Sequence, residues 1–202
     1  MPFCRYRNDV LFLGLFVVLS TTLSTPAVAQ TPEPEIDIET TTRVTLGKSA
    51  AQPNETALIP IYLVPPKSIP ISRVKFNVTF VSANVKFDKV EPGPIIDVGK
   101  VKFSTEVSLG KNENGVETST VTVVGEVPEQ SAEGLPAGLF VYLSLRLSAE
   151  ARPANITLRT SASEATRLGS AEPLPDVRTF DAQLEVQAPG YSPTVVCFFF
   201  NH

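Results

Sequence analysis

Tryptophan is absent from this 202-residue chain, and histidine occurs once, as His202 at the very end. Without an internal histidine, a Ser-His-Asp or Cys-His nucleophile system would rest on a terminal residue, where chains fray. Zinc needs several Cys/His ligands at close spacing, and Cys197 with His202 supplies only two. No metal site is expected, and no cofactor, since there is neither a Gly-rich phosphate loop nor a calcium loop of alternating Asp. Lys and Arg form no cluster, which argues against nucleic acid and anionic membranes as partners. The missing tryptophan removes the best flat surface for stacking sugar rings, and after residue 29 only Tyr62, Tyr142 and Tyr191 remain as tyrosines. Paired carboxylates could hydrolyse glycosides. Glu126 with Glu129, and Asp88 with Glu91, come nearest to such pairs. Scattered acids at strand ends are far more often solvated charges, and the chain is expected not to be an enzyme.

Residues 1–29 have the build of an export signal. Arg5 and Arg7 precede an apolar run from Val10 to Leu19, and Ala27-Val28-Ala29 offers a small-residue cleavage site before Gln30. The run is well short of the ~20 residues a membrane-spanning helix needs, so no membrane span is expected. The expected location is secreted, cell-surface or periplasmic. Removing this segment leaves 15 Lys+Arg against 20 Asp+Glu, a mildly acidic chain. It also leaves Cys197 as the one cysteine, so no intrachain disulfide can form and the fold must rest on its core.

What the chain does have is alternation. Val74, Phe76, Val78 and Phe80 alternate with Arg73, Lys75, Asn77 and Thr79; later, Leu139, Val141, Leu143, Leu145 and Leu147 alternate with Phe140, Tyr142, Ser144 and Arg146. A strand sends successive side chains to opposite faces, so each row predicts one buried and one solvent face. Strands are expected over 43–50, 55–64, 71–81, 84–91, 100–108, 115–125, 138–149, 155–161 and 178–187. Their spacing and Pro/Gly punctuation predict an all-β sandwich or barrel with no convincing amphipathic helix. Asn114-Gly115 tolerates positive φ and should close a hairpin between 100–108 and 115–125. Pro65-Pro66 should end one strand and Pro92-Gly93-Pro94 another. The pattern is lost between Ser163 and Asp176.

Residues 30–42, rich in Pro, Thr and Glu, read as a linker, residues 43–187 as the folded domain, and 188–202 as a second linker with an apolar tail. In that tail, Val195-Val196-Cys197-Phe198-Phe199-Phe200 is too short to span a bilayer. Cys197 is either a handle for covalent attachment or a small hydrophobe in a terminal strand.

The order of these features resembles the cohesin domain. Val44 to Lys48 is followed by Gln52-Pro53-Asn54-Glu55-Thr56 and the strand Ala57 to Leu63, similar to the family's opening strand, Pro-Gly-Asp/Glu-Thr turn and second strand. Ile71 to Phe80, Val85 to Gly93 and Gly138 to Leu147 resemble the family's third, fourth and late apolar strands. Asn54-Glu55 replaces the usual Gly and Asp, and the family's Tyr-Asp-Pro after the third strand is absent. The resemblance implies a nine-stranded jelly-roll β-sandwich related to cellulose-binding modules, and a non-catalytic module that presents one sheet face to a protein partner, a dockerin or another extracellular protein. In that family the partner docks on the sheet holding the third, fifth, sixth and eighth strands. Carried onto this chain, the face would combine Arg73, Lys75, Asn77, Thr79, Lys100, Lys102, Ser104, Glu106, Thr118, Thr120 and Thr122 with Phe140, Tyr142, Ser144 and Arg146. Arg73, Lys75, Asn77, Lys102, Thr120, Tyr142 and Arg146 are its main candidates. The alternative is a carbohydrate-binding module of the same fold, with polysaccharide as the partner.

Overall fold

The computed structural model describes residues 36–190. The expected export signal, Tyr191, Cys197, the apolar tail and His202 lie outside them. Eleven strand segments and one short helix occur among the described residues: β1 (Thr42–Leu46), β2 (Ser49–Ala51), β3 (Thr56–Val64), β4 (Ile71–Val81), β5 (Val85–Pro92), α1 (Pro94–Val98), β6 (Lys102–Lys111), β7 (Glu117–Glu126), β8 (Gly138–Leu147), β9 (Ala154–Arg167), β10 (Val177–Phe180) and β11 (Ala182–Val186). They form a β-sandwich. One sheet has five strands in the order β10-β1-β3-β8-β5, the other six in the order β2-β11-β9-β4-β7-β6.

Eleven segments stand where nine strands were expected because two stretches each change sheets. The chain leaves β1 at Gly47-Lys48 and enters the other sheet as β2; β10 does the same at Asp181 to become β11. The two crossings run side by side, with β1 parallel to β10 and β2 parallel to β11. Asp181 anchors the second crossing by accepting the Thr160 N–H and hydroxyl, both at 2.8 Å. The first and last strands thereby tie both sheets together along one side.

Alternation in β4 is realised as expected: Val74, Phe76, Val78 and Phe80 are buried, and Arg73, Lys75, Asn77 and Thr79 face outward. In β8 it breaks. Ile61 of β3 sits opposite Val141 but Tyr62 opposite Leu139, so Phe140 is an extra residue in the ladder. The bulge sends Phe140 into the core beside Phe76, with ring centroids 6.4 Å apart, and leaves Leu139 only partly buried. The expectation that Phe140 faces solvent is therefore corrected. Ser144 is buried as well, donating to Asp88 at 3.2 Å.

The hairpin is β6–β7, paired without interruption from Lys102↔Glu126 to Lys111↔Glu117. Its turn carries Gly115 at φ 74°, while the Asn112 carboxamide accepts the N–H groups of Asn114 and Val116. Helix α1 begins on Pro94 and buries Ile95 and Ile96; five residues are too few to show a helical period in sequence. Residues 36–42 do not behave as a free linker. Thr41 and Thr42 are buried, Thr42 N–H donates to Asp176 O at 3.1 Å, and the Thr41 hydroxyl donates to Asp176 Oδ2 at 2.7 Å.

Candidate functional site

The outer face of the six-stranded sheet is built by β9, β4, β7 and β6. Alternation on β4 and β7 puts every second residue outward, and the pairing aligns them into rows across the sheet. Arg73, Glu126 and Lys102 form one row, in which Arg73 Nε donates to Glu126 Oε1 at 2.7 Å. Asn77, Thr122 and Glu106 form the central row, with the Thr122 hydroxyl donating to Asn77 Oδ1 at 2.9 Å. Next come Thr79, Thr120 and Ser108, the two threonine hydroxyls 2.9 Å apart. These cross-strand bonds hold short side chains in place before any partner arrives, which lowers the ordering cost of binding. Lys75, opposite Val124 and Glu164, adds a cation between the first two rows.

One end of this face is concave. There the hairpin tip (Lys111–Asn114) and β9 (Thr157, Arg159) flank an open cleft of about 510 Å³ floored by Thr79, Val81 and Thr118. Sequence reasoning overlooked Arg159, Ser161 and Glu164 on β9, which stand beside Thr79, Asn77 and Lys75. Their spacing is irregular because Ala162 and Ser163 bulge out between the residues paired with Asn77 and Lys75, with Ala162 at φ 48°.

Arg73, Lys75, Asn77, Lys102 and Thr120 thus share one face, together with Thr79, Ser104, Glu106, Thr118 and Thr122. Lys100 lies in the turn after α1, not on a strand. Tyr142 and Arg146 are not part of this face. Their strand, β8, belongs to the five-stranded sheet, and they point outward there, opposite Pro60 and Thr56. The single combined surface expected from sequence is therefore corrected to two surfaces on opposite sheets.

That second surface is more apolar. Phe180, Thr45 and Tyr62 form a row across β10, β1 and β3, and Pro60 lies next to Tyr142. Leu58, Tyr62 and Phe180 are 45%, 42% and 38% exposed. Lys89 and Glu91 border it with a 2.7 Å ion pair, and the Glu91 carboxylate, as hydrogen-bond acceptor and as countercharge, holds the Lys89 ammonium above its ordinary range. Glu91 and Glu126 are thus engaged with cations rather than paired with other acids. Among the described residues no three His, Cys, Asp or Glu come close enough to hold a metal ion. Nor is any helix there long and apolar enough to cross a membrane.

No protein-family model matches the chain, and no curated protein matches it in sequence. Solved structures do match in shape. The sixth cohesin of scaffoldin B from Acetivibrio cellulolyticus, solved with a dockerin, aligns over 73% of this chain and 100% of its own, with 14% identity and a TM-score of 0.55. The seventh ScaB type I cohesin of Pseudobacteroides cellulosolvens covers 80% of this chain and 98% of its own, at 16% identity and TM-score 0.56. The fold is that of a cohesin domain. A third cohesin, from OlpA of Clostridium thermocellum in complex with a dockerin, aligns over 73% of this chain and 99% of its own, at 16% identity and TM-score 0.56. In this cohesin-like sandwich the order β9-β4-β7-β6 reproduces the expected sheet of the third, fifth, sixth and eighth strands. The strand 138–149 stays outside it.

Proposed function

We propose that the chain is an exported, non-catalytic assembly module that binds a protein partner of dockerin type on the outer face of β9-β4-β7-β6. The observation that carries this reading is the prebuilt ladder on that face: Asn77–Thr122, Thr79–Thr120 and Arg73–Glu126 lock a polar surface that also carries the cations Arg73, Lys75 and Lys102. Such a surface suits a partner that supplies its own apolar and charged anchors and exchanges hydrogen bonds with a rigid lawn. Support for a protein partner also comes from shape, since two of the similar structures are cohesins held by dockerins. The leader-like residues 1–29 support export. The test is capture from the secreted and envelope proteins of the producing organism on the chain as that organism processes it. The captured protein is then identified and rebound in purified form. Rebinding that is lost when the ladder face is blocked is the expected result. No rebinding, or rebinding indifferent to that face, would overturn the reading.

The apolar row on the five-stranded sheet favours carbohydrate as a second reading, because exposed aromatic side chains offer stacking faces to sugar rings. On this reading, depletion of the protein by insoluble polysaccharide should fall several-fold in Tyr62→Ala and be unchanged in Thr120→Arg. Equal depletion by both variants would remove it.

A further inference from the structure

Strand β6 ends the six-stranded sheet and runs ten residues with neither a bulge nor a proline. All of its residues except Phe103 are exposed. Val107 and Leu109 pair with Val121 and Ser119, which are buried, so they point toward the inner side of the sandwich. They are nevertheless 41% and 82% exposed. Natural sheets protect such edges with prolines, bulges or inward-pointing charges. Between Thr105 and Leu109 the inner side of this edge carries none of them.

The free hydrogen-bonding groups of the edge can be assigned. The Asn112 N–H donates to Val116 O across the hairpin at 2.9 Å, and the register runs unbroken from there. Antiparallel bonding alternates, so even-numbered residues of β6 direct their backbone groups to β7. Thr105, Val107, Leu109 and Lys111 present theirs to the open side.

We propose that β6 pairs with β6 of a second copy of this chain, antiparallel about a two-fold axis at Ser108. That register sets Val107 opposite Leu109 of the second copy and Leu109 opposite its Val107, covering both exposed apolar residues on each side. The same pairs carry the outward backbone groups, so each exchanges both of its hydrogen bonds. Glu106 then faces Gly110 and Lys111 faces Thr105, and no like charges are opposed. Neighbouring registers fit worse. An axis at Glu106 opposes two glutamates, one at Val107 sets Leu109 against Thr105, and one at Leu109 sets Val107 against Lys111. The contact is isologous and closed, as two-fold pairing requires. It extends the sheet sideways and leaves the outer face free, so it stands independently of the proposed partner site.

The test uses the full chain with Cys4→Ser and Cys197→Ser, into which single cysteines are placed. Ser108 becomes a non-hydrogen-bonded pair with its own copy, with Cα atoms about 4.5 Å apart, within the range of about 4.4–6.8 Å that a disulfide spans. Ser108→Cys is expected to give a covalent dimer under mild oxidation, and Ser104→Cys, which meets residue 112, is not. In sedimentation, Leu109→Lys should raise the dimer dissociation constant about tenfold or more, with an unchanged far-ultraviolet circular-dichroism spectrum. A Ser108→Cys chain that stays monomeric with a freely alkylated thiol would overturn the proposal. So would crosslinking of Ser104→Cys to the same extent.

Discussion

Phe140→Ala is expected to lower the unfolding free energy by about 3–5 kcal/mol. Phe140 is fully buried, and its ring meets Phe76 and the backbone of β7 at Gly125. It reaches across from the five-stranded sheet to the six-stranded one, so the cavity left by truncation would open between the two layers. A Cβ on Gly125 would stand 2.2 Å from the Phe140 ring. The glycine is the space the ring occupies, and neither residue can change size alone. Domains of this kind are stable by about 5–15 kcal/mol in total, and no disulfide among the described residues constrains the unfolded chain. The urea midpoint of Phe140→Ala should therefore fall steeply.

The same contact predicts its own coupling. Gly125→Ala alone should cost about 1–3 kcal/mol through overpacking, but much less in the Phe140→Ala background, where the methyl group enters the vacated volume. A double-mutant cycle with a coupling of about 1 kcal/mol or more would verify that the two positions share one volume. Additive costs would show that Phe140 packs elsewhere.

Phe140 also marks where legibility ended. The alternation of β4 could be read directly because that strand lies in the middle of its sheet with one face buried and one open. The β6–β7 hairpin could be read because Asn114-Gly115 marks its turn, where Gly115 takes φ 74°. In β8 the apolar residues continue through the bulge, and simple alternation placed Phe140 outside when the ladder slips by one and turns it inward. The slip at Ala162–Ser163 hid the second half of β9, beyond the expected 155–161, for the same reason: inserted residues destroy the period while the strand continues. Sheet changes at Gly47-Lys48 and Asp181 leave no periodic mark, since a strand keeps its own alternation whichever sheet it joins. This is also why Tyr142 and Arg146 were grouped with Arg73. A strand's outward residues are legible locally, but which outward face they join depends on long-range pairing.

That separation makes the partner face testable by paired variants on opposite sheets. Thr120→Arg should reduce rebinding of a purified partner at least about tenfold, a loss of about 1.4 kcal/mol or more. Thr120 lies inside the ladder, one row from Asn77–Thr122, and its hydroxyl meets that of Thr79. An arginine there puts a long charged side chain among the short side chains of Thr79, Thr118 and Thr122, so a partner matched to those short side chains meets it sterically and loses the Thr79–Thr120 pair. The site is on the solvent side of β7, and the cost to folding should stay within about 1 kcal/mol, so lost binding would not reflect an unfolded protein. Arg73→Ala should act differently: its partner Glu126 lies at the edge of the face, and the main change should be in association rate and salt dependence. Tyr142→Ala and Arg146→Ala, on the opposite sheet, should leave rebinding unchanged. Surface plasmon resonance on the four variants distinguishes the two sheets, because loss in Tyr142→Ala with retention in Thr120→Arg would move the binding surface to the apolar row of Tyr62 and Phe180.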